Sequence, residues 1–230
     1  LPDRNTIPHD VAFFQRLREL IPEICHRRGM LAIGGMTALF PSRVDPVLNG
    51  RALAVLEQDK KNEATALMDG AWTGHPDQNG IAVAQFPAPN QGFRRPVGID
   101  RYPDLRPEPT GVGARTVAGS RAAARVTILY RAGVLAGRGA SLIDGYMEDL
   151  ATDRIYRLML AQRVLHRDRV EVASEGGKPT PHTPEFLSRL YDEELAVLLA
   201  RCEDDGEKTR YTQARVESEA MIVAGRHDPV

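Results

Sequence analysis

The chain has 230 residues, 42% hydrophobic and 27% charged, with a formal net charge of -1. That is ordinary globular composition, long enough for one large domain or two small ones, and its near-neutral balance argues against a general nucleic-acid binder. No apolar run approaches the roughly 20 residues that span a bilayer, and Cys25 and Cys202 form neither a metal-ligand spacing nor a disulfide framework, so reduced thiols in the cytoplasm are expected.

The opening Leu1-Pro2-Asp3-Arg4 is no signal peptide and lacks an initiator Met, as expected of a piece of a longer chain. Asp10 is placed to cap a helix over 11–28 with Val11, Phe14, Leu17, Ile21 and Ile24 as its apolar stripe and Pro22 as a kink. His26, Arg27 and Arg28 suit its last turn, and Gly29 suits the C′ position. Met30-Leu31-Ala32-Ile33 reads as a short buried strand ending at Gly34-Gly35. Helix, strand and glycine turn together form a unit of parallel α/β architecture.

A polar turn through Pro46 and Asn49-Gly50 leads to a helix over 51–68, whose face of Glu57, Asp59, Lys60, Lys61 and Glu63 reads as solvated. Residues 68–76 read as a turn-rich loop holding the only Trp, Trp72, and a short helix over 78–86 follows. Pro87, Pro89, Pro96, Pro103, Pro107 and Pro109 then mark an extended, mobile connection, with Arg94, Arg95, Arg101 and Arg106 read as solvated. Beyond it the pattern is helical, over 117–136, 147–166, 184–202 and 206–224, with a turn at 175–181. Gly176-Gly177-Lys178 lacks the spacing of a P-loop.

The 147–166 segment carries Leu150, Ala151, Ile155, Leu158, Met159, Ala161, Val164 and Leu165 at helical spacing, which places Asp149 at its N-terminal edge. A carboxylate there either caps the helix or faces a cleft.

The run Met147-Glu148-Asp149, Ala151-Thr152, Ile155 and Arg157, preceded by Gly137 and Gly139, resembles the signature of malate synthases, and of their shorter form, malate synthase A, in particular. Cys25-His26-Arg27-Arg28-Gly29, Gly34-Gly35-Met36 with Ala38 and Pro41, Asp59-Lys60 with Glu63-Ala64, and Asp69-Gly70 with Trp72 and His75-Pro76 are similar, in order, to further blocks of that family. Together the blocks span roughly residues 1–165.

The resemblance implies an α/β plus all-α chain, the C-terminal part of a TIM (β/α)8 barrel followed by a helical C-terminal plug domain. Residues 1–86 would be the last strand and helix units of the barrel, 87–116 a Pro-rich connection, and 117–230 the helical domain carrying the catalytic Asp. Barrel sites lie at the C-terminal ends of strands, where the turn at Gly34-Gly35-Met36 falls.

The implied reaction joins acetyl-CoA to glyoxylate and hydrolyses the product to malate and CoA, as in the glyoxylate cycle. Asp149 matches the family's general base, with Glu148 as its rival; successive helical side chains diverge by about 100°, so both cannot address one methyl group. Met36, Phe40, Pro41 and Gly139 are the residues expected near CoA, with Trp72 and His75 at the mouth and Arg138 opposite a CoA phosphate. The family's Mg²⁺ ligands, one Glu and one Asp, and its enolate-stabilising Arg belong upstream of residue 1, so no metal ligand is assigned in this chain. The remainder of a malate synthase chain is thus the expected partner, with neither nucleic acid nor membrane, and the isolated chain is expected to be inactive and prone to aggregate. A non-catalytic helical interaction module derived from the family is the alternative.

Overall fold

The computed structural model describes residues 1–8, 10–104, 113–174 and 178–223, with the side chain of residue 5 left out. Arg106, Pro107, Pro109, Gly176 and Gly177, named above, lie outside the described residues. The chain divides into two compact units: Leu1–Ile7, Gly113–Asp144 and Glu148–Val230 form one, and Pro8–Val112 with Gly145–Met147 form the other.

The second of these is α/β. Its first helix, α1 (Ala12–Arg27), begins after Val11 with no side-chain cap, so the expected Asp10 cap is not made. It ends as expected: Gly29 has φ +70, and the Gly29 and Met30 amides return to the His26 and Cys25 carbonyls, a Schellman closure. The expected stripe is only half right, because the buried positions are Pro22, Glu23 and His26 while Ile24 is 43% exposed.

Strand β1 runs Ile33–Met36, three residues later than the sequence pattern placed it, and β2 occupies Gly70–Trp72 inside the segment read as a loop. The two pair in parallel, Ile33 with Gly70, Gly34 with Ala71 and Met36 with Trp72, and α2 (Pro46–Thr65) connects them. This is a β-α-β crossover. A second strand thus follows β1 in this unit. A three-residue strand is too short to show alternation, which is why β2 escaped the pattern.

Helix α2 also begins five residues earlier than expected. Asp45 Oδ1 accepts the Val47 and Leu48 amides at 3.0 and 2.9 Å, and Pro46 sits in the first turn, where its missing N–H costs nothing. After β2 come a 3-10 turn, Pro76–Gln78, and α3 (Asn79–Gln85). The segment that follows is anchored where Gln91 is buried, its side chain donating to the Ala64 and Met68 carbonyls, each at 2.8 Å.

The other unit is helical: α4 (Val117–Leu135), α5 (Leu150–Leu165), α6 (Pro184–Arg201) and α7 (Asp205–Val223). α4 is its axis. Ala123, Ala124, Val126, Ile128, Tyr130 and Ala132 are all buried, and the helix packs against each of the other three, its small residues letting them close in. A short hairpin, β3 (Ser141–Ile143) and β4 (Tyr146–Glu148), interrupts the expected helix start at 147. Its turn residues Asp144 and Gly145 both have positive φ, +50 and +82, the signature of a tight two-residue hairpin.

On α5 the expected apolar stripe is buried only in part: Met159 is enclosed and Ala161 and Val164 pack against the core. Leu150, Ile155 and Leu165 are exposed, whereas Asp153, Tyr156, Arg157, Met159, Leu160 and Arg163 are buried. Buried ion pairs account for the charged members. Arg157 Nε donates to Asp153 Oδ2 at 2.8 Å, and Arg163 Nη2 to Asp3 Oδ1 at 2.6 Å. The second pair ties the opening residues to this unit, aided by the Thr116 hydroxyl on Asp3 Oδ2 at 2.7 Å.

Candidate active site

Two consecutive carboxylates lie at the start of α5, in contrasting surroundings. Glu148 is 1% exposed, and both of its oxygens accept from Arg4 Nη1, at 2.5 and 2.8 Å. The same guanidinium lies 5.7 Å from the centroid of the Tyr156 ring. Asp149 is exposed and caps α5, its Oδ1 accepting the Ala151 and Thr152 amides at 2.9 and 3.2 Å. Among the described residues its Oδ2 has no hydrogen-bond partner.

One oxygen of Asp149 is thus committed to the helix backbone and the other is open, an arrangement in which a fixed carboxylate can take a proton from a ligand. Glu148, enclosed and engaged by a cation, has no such atom to offer. Tyr130 of α4 lies near this end of α5, and its hydroxyl donates to the Gly139 carbonyl at 3.1 Å. Burial, then the charges of Asp153 and Asp149, push the Tyr130 pKa above its ordinary 10.0, so the hydroxyl keeps its proton at neutral pH. Gly139 itself is exposed, and a Cβ there would meet nothing within 4 Å.

The other expected residues stand together in the α/β unit. The loop leaving β1 pairs with the segment Gly145–Met147: Ala38 O accepts the Met147 amide at 2.7 Å, and the Phe40 amide donates to Gly145 O at 2.8 Å. Phe40 meets His75 edge to face, ring centroids 5.2 Å apart. Pro41 is buried, Met36 is half-buried, and Trp72 is 69% exposed. Gly74 passes so close to the Met36 and Met147 sulfurs that a Cβ would lie 2.7 and 2.8 Å from them.

The backbone before that loop is held by charges that the sequence pattern placed on a solvated face. Lys60 and Glu63 are buried, while Glu57 and Lys61 of the same helix are exposed. Lys60 Nζ donates to Gly35 O and lies 3.2 Å from Glu63 Oε2; Glu63 Oε1 accepts the Gly35 amide at 3.1 Å. Thr37 Oγ1 donates to Asp59 Oδ2 at 2.6 Å. Burial raises the Glu63 pKa above 4.5 against the pull of Lys60, with Asp59 adding to the rise. Helical periodicity reports which side a residue lies on but not what covers that side, so a buried ion pair reads as surface.

Two further polar clusters are structural. His26 is enclosed, with Nδ1 2.9 Å from Arg94 O and Nε2 2.8 Å from Asp69 Oδ2. Burial of Asp69 opposes its charge, but the Ala32 amide, His26 and the Gln91 amide outweigh it and hold the carboxyl below 3.8. Ser120 and His182 lie 2.7 Å apart, and Arg163 Nη1 donates to the Ser120 oxygen at 2.6 Å. Ser120, Arg163 and His182 are at most 1% exposed, so this Ser-His pair is closed to substrates. No motif in the sequence singled out Ser120, His182 or Arg4, because their partners are far away along the chain.

A parallel β-α-β segment, followed in the chain by a helical unit that presents a half-engaged carboxylate at a helix N-terminus, defines an α/β plus all-α protein. The comparisons make that class specific. The malate synthase TIM barrel domain family matches residues 1–97, and the malate synthase C-terminal family matches residues 114–226. The chain belongs to the malate synthase family.

The malate synthase of Streptomyces clavuligerus is 37% identical over 205 residues, covering 86% of this chain and 37% of its own length. The glyoxysomal malate synthase of Zea mays is 34% identical over 223 residues, 93% of this chain and 39% of its own length. Malate synthase A of Escherichia coli (strain K12) is 30% identical over 228 residues, 97% of this chain and 41% of its own length. The chain therefore spans about two-fifths of the length of these relatives.

Proposed function

We propose that this chain supplies the proton-abstracting part of a malate synthase, which condenses acetyl-CoA with glyoxylate and hydrolyses malyl-CoA to malate and CoA. The observation that carries the reading is the exposed Asp149 carboxylate, with Oδ1 held by two α5 amides and Oδ2 open. In this reading Oδ2 takes a proton from the thioester methyl group. The C–H electron pair becomes the enolate, whose carbon bonds to the glyoxylate aldehyde carbon while that carbonyl's π pair moves to its oxygen, and the alkoxide so formed takes up a proton to become the hydroxyl. Water then cleaves the thioester, releasing CoA and leaving malate.

The thioester methyl is a weak acid, so the enolate oxygen needs a stabilising group as it forms. In this reading that group and Mg²⁺ come from barrel segments outside residues 1–230. Among the described residues no group of three or more His, Cys, Asp or Glu stands together to hold a metal ion. The described residues thus offer no such cluster for Mg²⁺, and the ion takes no part in the steps assigned to this chain.

Residues 1–86 would be the final strand and helix units of the barrel, 87–116 a connection, and 117–230 the helical plug. The parallel β1-α2-β2 unit and the two family matches support this division. Met36, Phe40 and Pro41 would flank the pantetheine arm, with Gly139 at the second contact. The remaining barrel strands would be the chain's partner. A cytoplasmic setting, a place in the glyoxylate cycle and free Cys25 and Cys202 thiols belong to the same proposal. Among the described residues no helix is long and apolar enough to cross a membrane.

The test is complementation. Residues 1–230, produced with the upstream barrel segments of the Escherichia coli relative, should release CoA from acetyl-CoA only when glyoxylate is present. The isolated chain should show little activity, and Asp149→Asn should abolish what complementation restores. Full turnover by the Asn variant would reject the assignment of the base.

A further inference from the structure

The reading of Asp149 as base leaves open what aims it. A cap alone fixes one oxygen, whereas the direction of the other depends on the peptide that enters the helix. That peptide belongs to Glu148, and Glu148 is held by a residue from the other end of the sequence. Arg4 Nη1 donates to both Glu148 oxygens, at 2.5 and 2.8 Å, and Glu148 is 1% exposed.

Arg4 is itself held in place. The preceding residue, Asp3, accepts from Arg163 at 2.6 Å and from the Thr116 hydroxyl at 2.7 Å, and its amide donates to Ala114 O at 2.7 Å. A Cβ on Gly119 would come within 2.0 Å of Asp3 Oδ1, so the segment is seated directly on α4. The Arg4 guanidinium also rests over Tyr156, two turns into α5 from Asp149. An unbroken series of close contacts therefore runs from the α4 N-terminus through Asp3 and Arg4 to the residue next to Asp149.

We propose that Arg4 is a positioning residue whose grip on Glu148 fixes the entry to α5 and so aims the Asp149 carboxylate at the ligand. The proposal rests on Asp149 being the base, and its structural half can be read without turnover. A rigid entry keeps the Ala151 and Thr152 amides on Asp149 Oδ1. A freed entry lets the cap open while the rest of α5 remains folded.

The experiment compares Arg4→Met, Arg4→Lys and Glu148→Gln with the unaltered protein. In the 230-residue chain, hydrogen exchange at the Ala151 and Thr152 amides should accelerate about tenfold in Arg4→Met relative to amides later in α5, the size expected for loss of a cap. In the catalytically complete polypeptide carrying these residues, kcat should fall by about 100-fold, with KM for acetyl-CoA within about threefold, as for a misaimed group. Arg4→Lys should recover most of both effects, because one cationic nitrogen already serves both Glu148 oxygens.

Unchanged cap exchange or unchanged kcat in a folded Arg4→Met protein would overturn the proposal, as would equal defects in the Lys and Met variants. Should Arg4→Met fail to fold, Glu148→Gln decides. It keeps the shape and one acceptor, and should show the same changes at smaller size; their absence would equally overturn the proposal. Turnover retained by Asp149→Asn would instead sink the assignment of the base and leave the exchange result standing.

Discussion

Gly34 and Glu63 occupy one space: a Cβ on Gly34 would lie 2.2 Å from Glu63 Oε2. The glycine is therefore required by a buried carboxylate of the neighbouring helix, whose Oε1 also accepts the Gly35 amide.

Gly34→Ala should push Glu63 and Lys60 out of register and cost about 1–3 kcal/mol, the range for overpacking a filled site. Gly35→Ala is the control. Its Cβ would meet nothing within 4 Å, so its effect should stay within about 0.5 kcal/mol. Urea unfolding of the two variants, followed by circular dichroism, measures the difference; equal losses would contradict the packing described.

Asp149 serves the helix and, in the proposed reaction, the substrate, and the two roles separate on substitution. Asn caps as well as Asp, so Asp149→Asn should leave stability nearly unchanged while removing turnover. Asp149→Ala should lose turnover and also about 1 kcal/mol of stability. Thermal unfolding beside a CoA-release assay distinguishes the two; loss of equal stability in both would count against the cap.

The enclosed His182 makes the helical unit sensitive to acid. Burial, with Arg163 nearby, holds the ring below its ordinary 6.5, against the Thr180 carbonyl. The unfolded chain therefore binds this proton first as pH falls, and stability present above about 6.5 declines through and below that value. Glu63, raised by burial, works in the opposite sense at lower pH, favouring the folded state as it protonates. Unfolding midpoints of wild type and His182→Gln at about pH 7 and pH 5.5 should converge on acidification; a constant gap would refute this.

One face of the β1–β2 pair is open. Leu31, Ile33 and Trp72 are 52%, 50% and 69% exposed, and Phe93 is 97% exposed. Parallel sheets are found with both faces covered, and exposed apolar patches promote association. The isolated 230-residue polypeptide should bind a hydrophobic dye and scatter light at micromolar concentration, and complementation by the upstream barrel segments should suppress both. A monodisperse, dye-silent polypeptide would contradict the prediction.

What was legible in the sequence follows physical lines. α1, α4, α6 and α7 fall within a residue or two of the helical pattern, and the structure shows caps at two of their starts, where Thr116 and Thr183 accept from the Gly119 and Phe186 amides. Pro46 was misjudged because the same residue suits a turn and a first helical turn. β2 and the β3–β4 hairpin were missed because three residues carry too little alternation, although Asp144-Gly145 is a recognisable hairpin turn. The charged clusters were missed for another reason. Arg163 with Asp3 and Glu148 with Arg4 are paired across more than a hundred residues, which leaves no local mark, whereas Lys60 and Glu63 are three apart on one helix whose covering the pattern does not report. The family signature points to Asp149, and its contrast in surroundings with Glu148, which Arg4 holds, is visible only in the structure.

The seven opening residues also bear on how this molecule can be dissected. Asp3 and Arg4 neutralise Arg163 and Glu148 inside a unit whose other residues begin more than a hundred positions later. An excised piece starting near Gly113 would carry both charges naked in its interior. A workable minimal version must graft that heptapeptide back, as a covalent fusion or as a peptide added in trans.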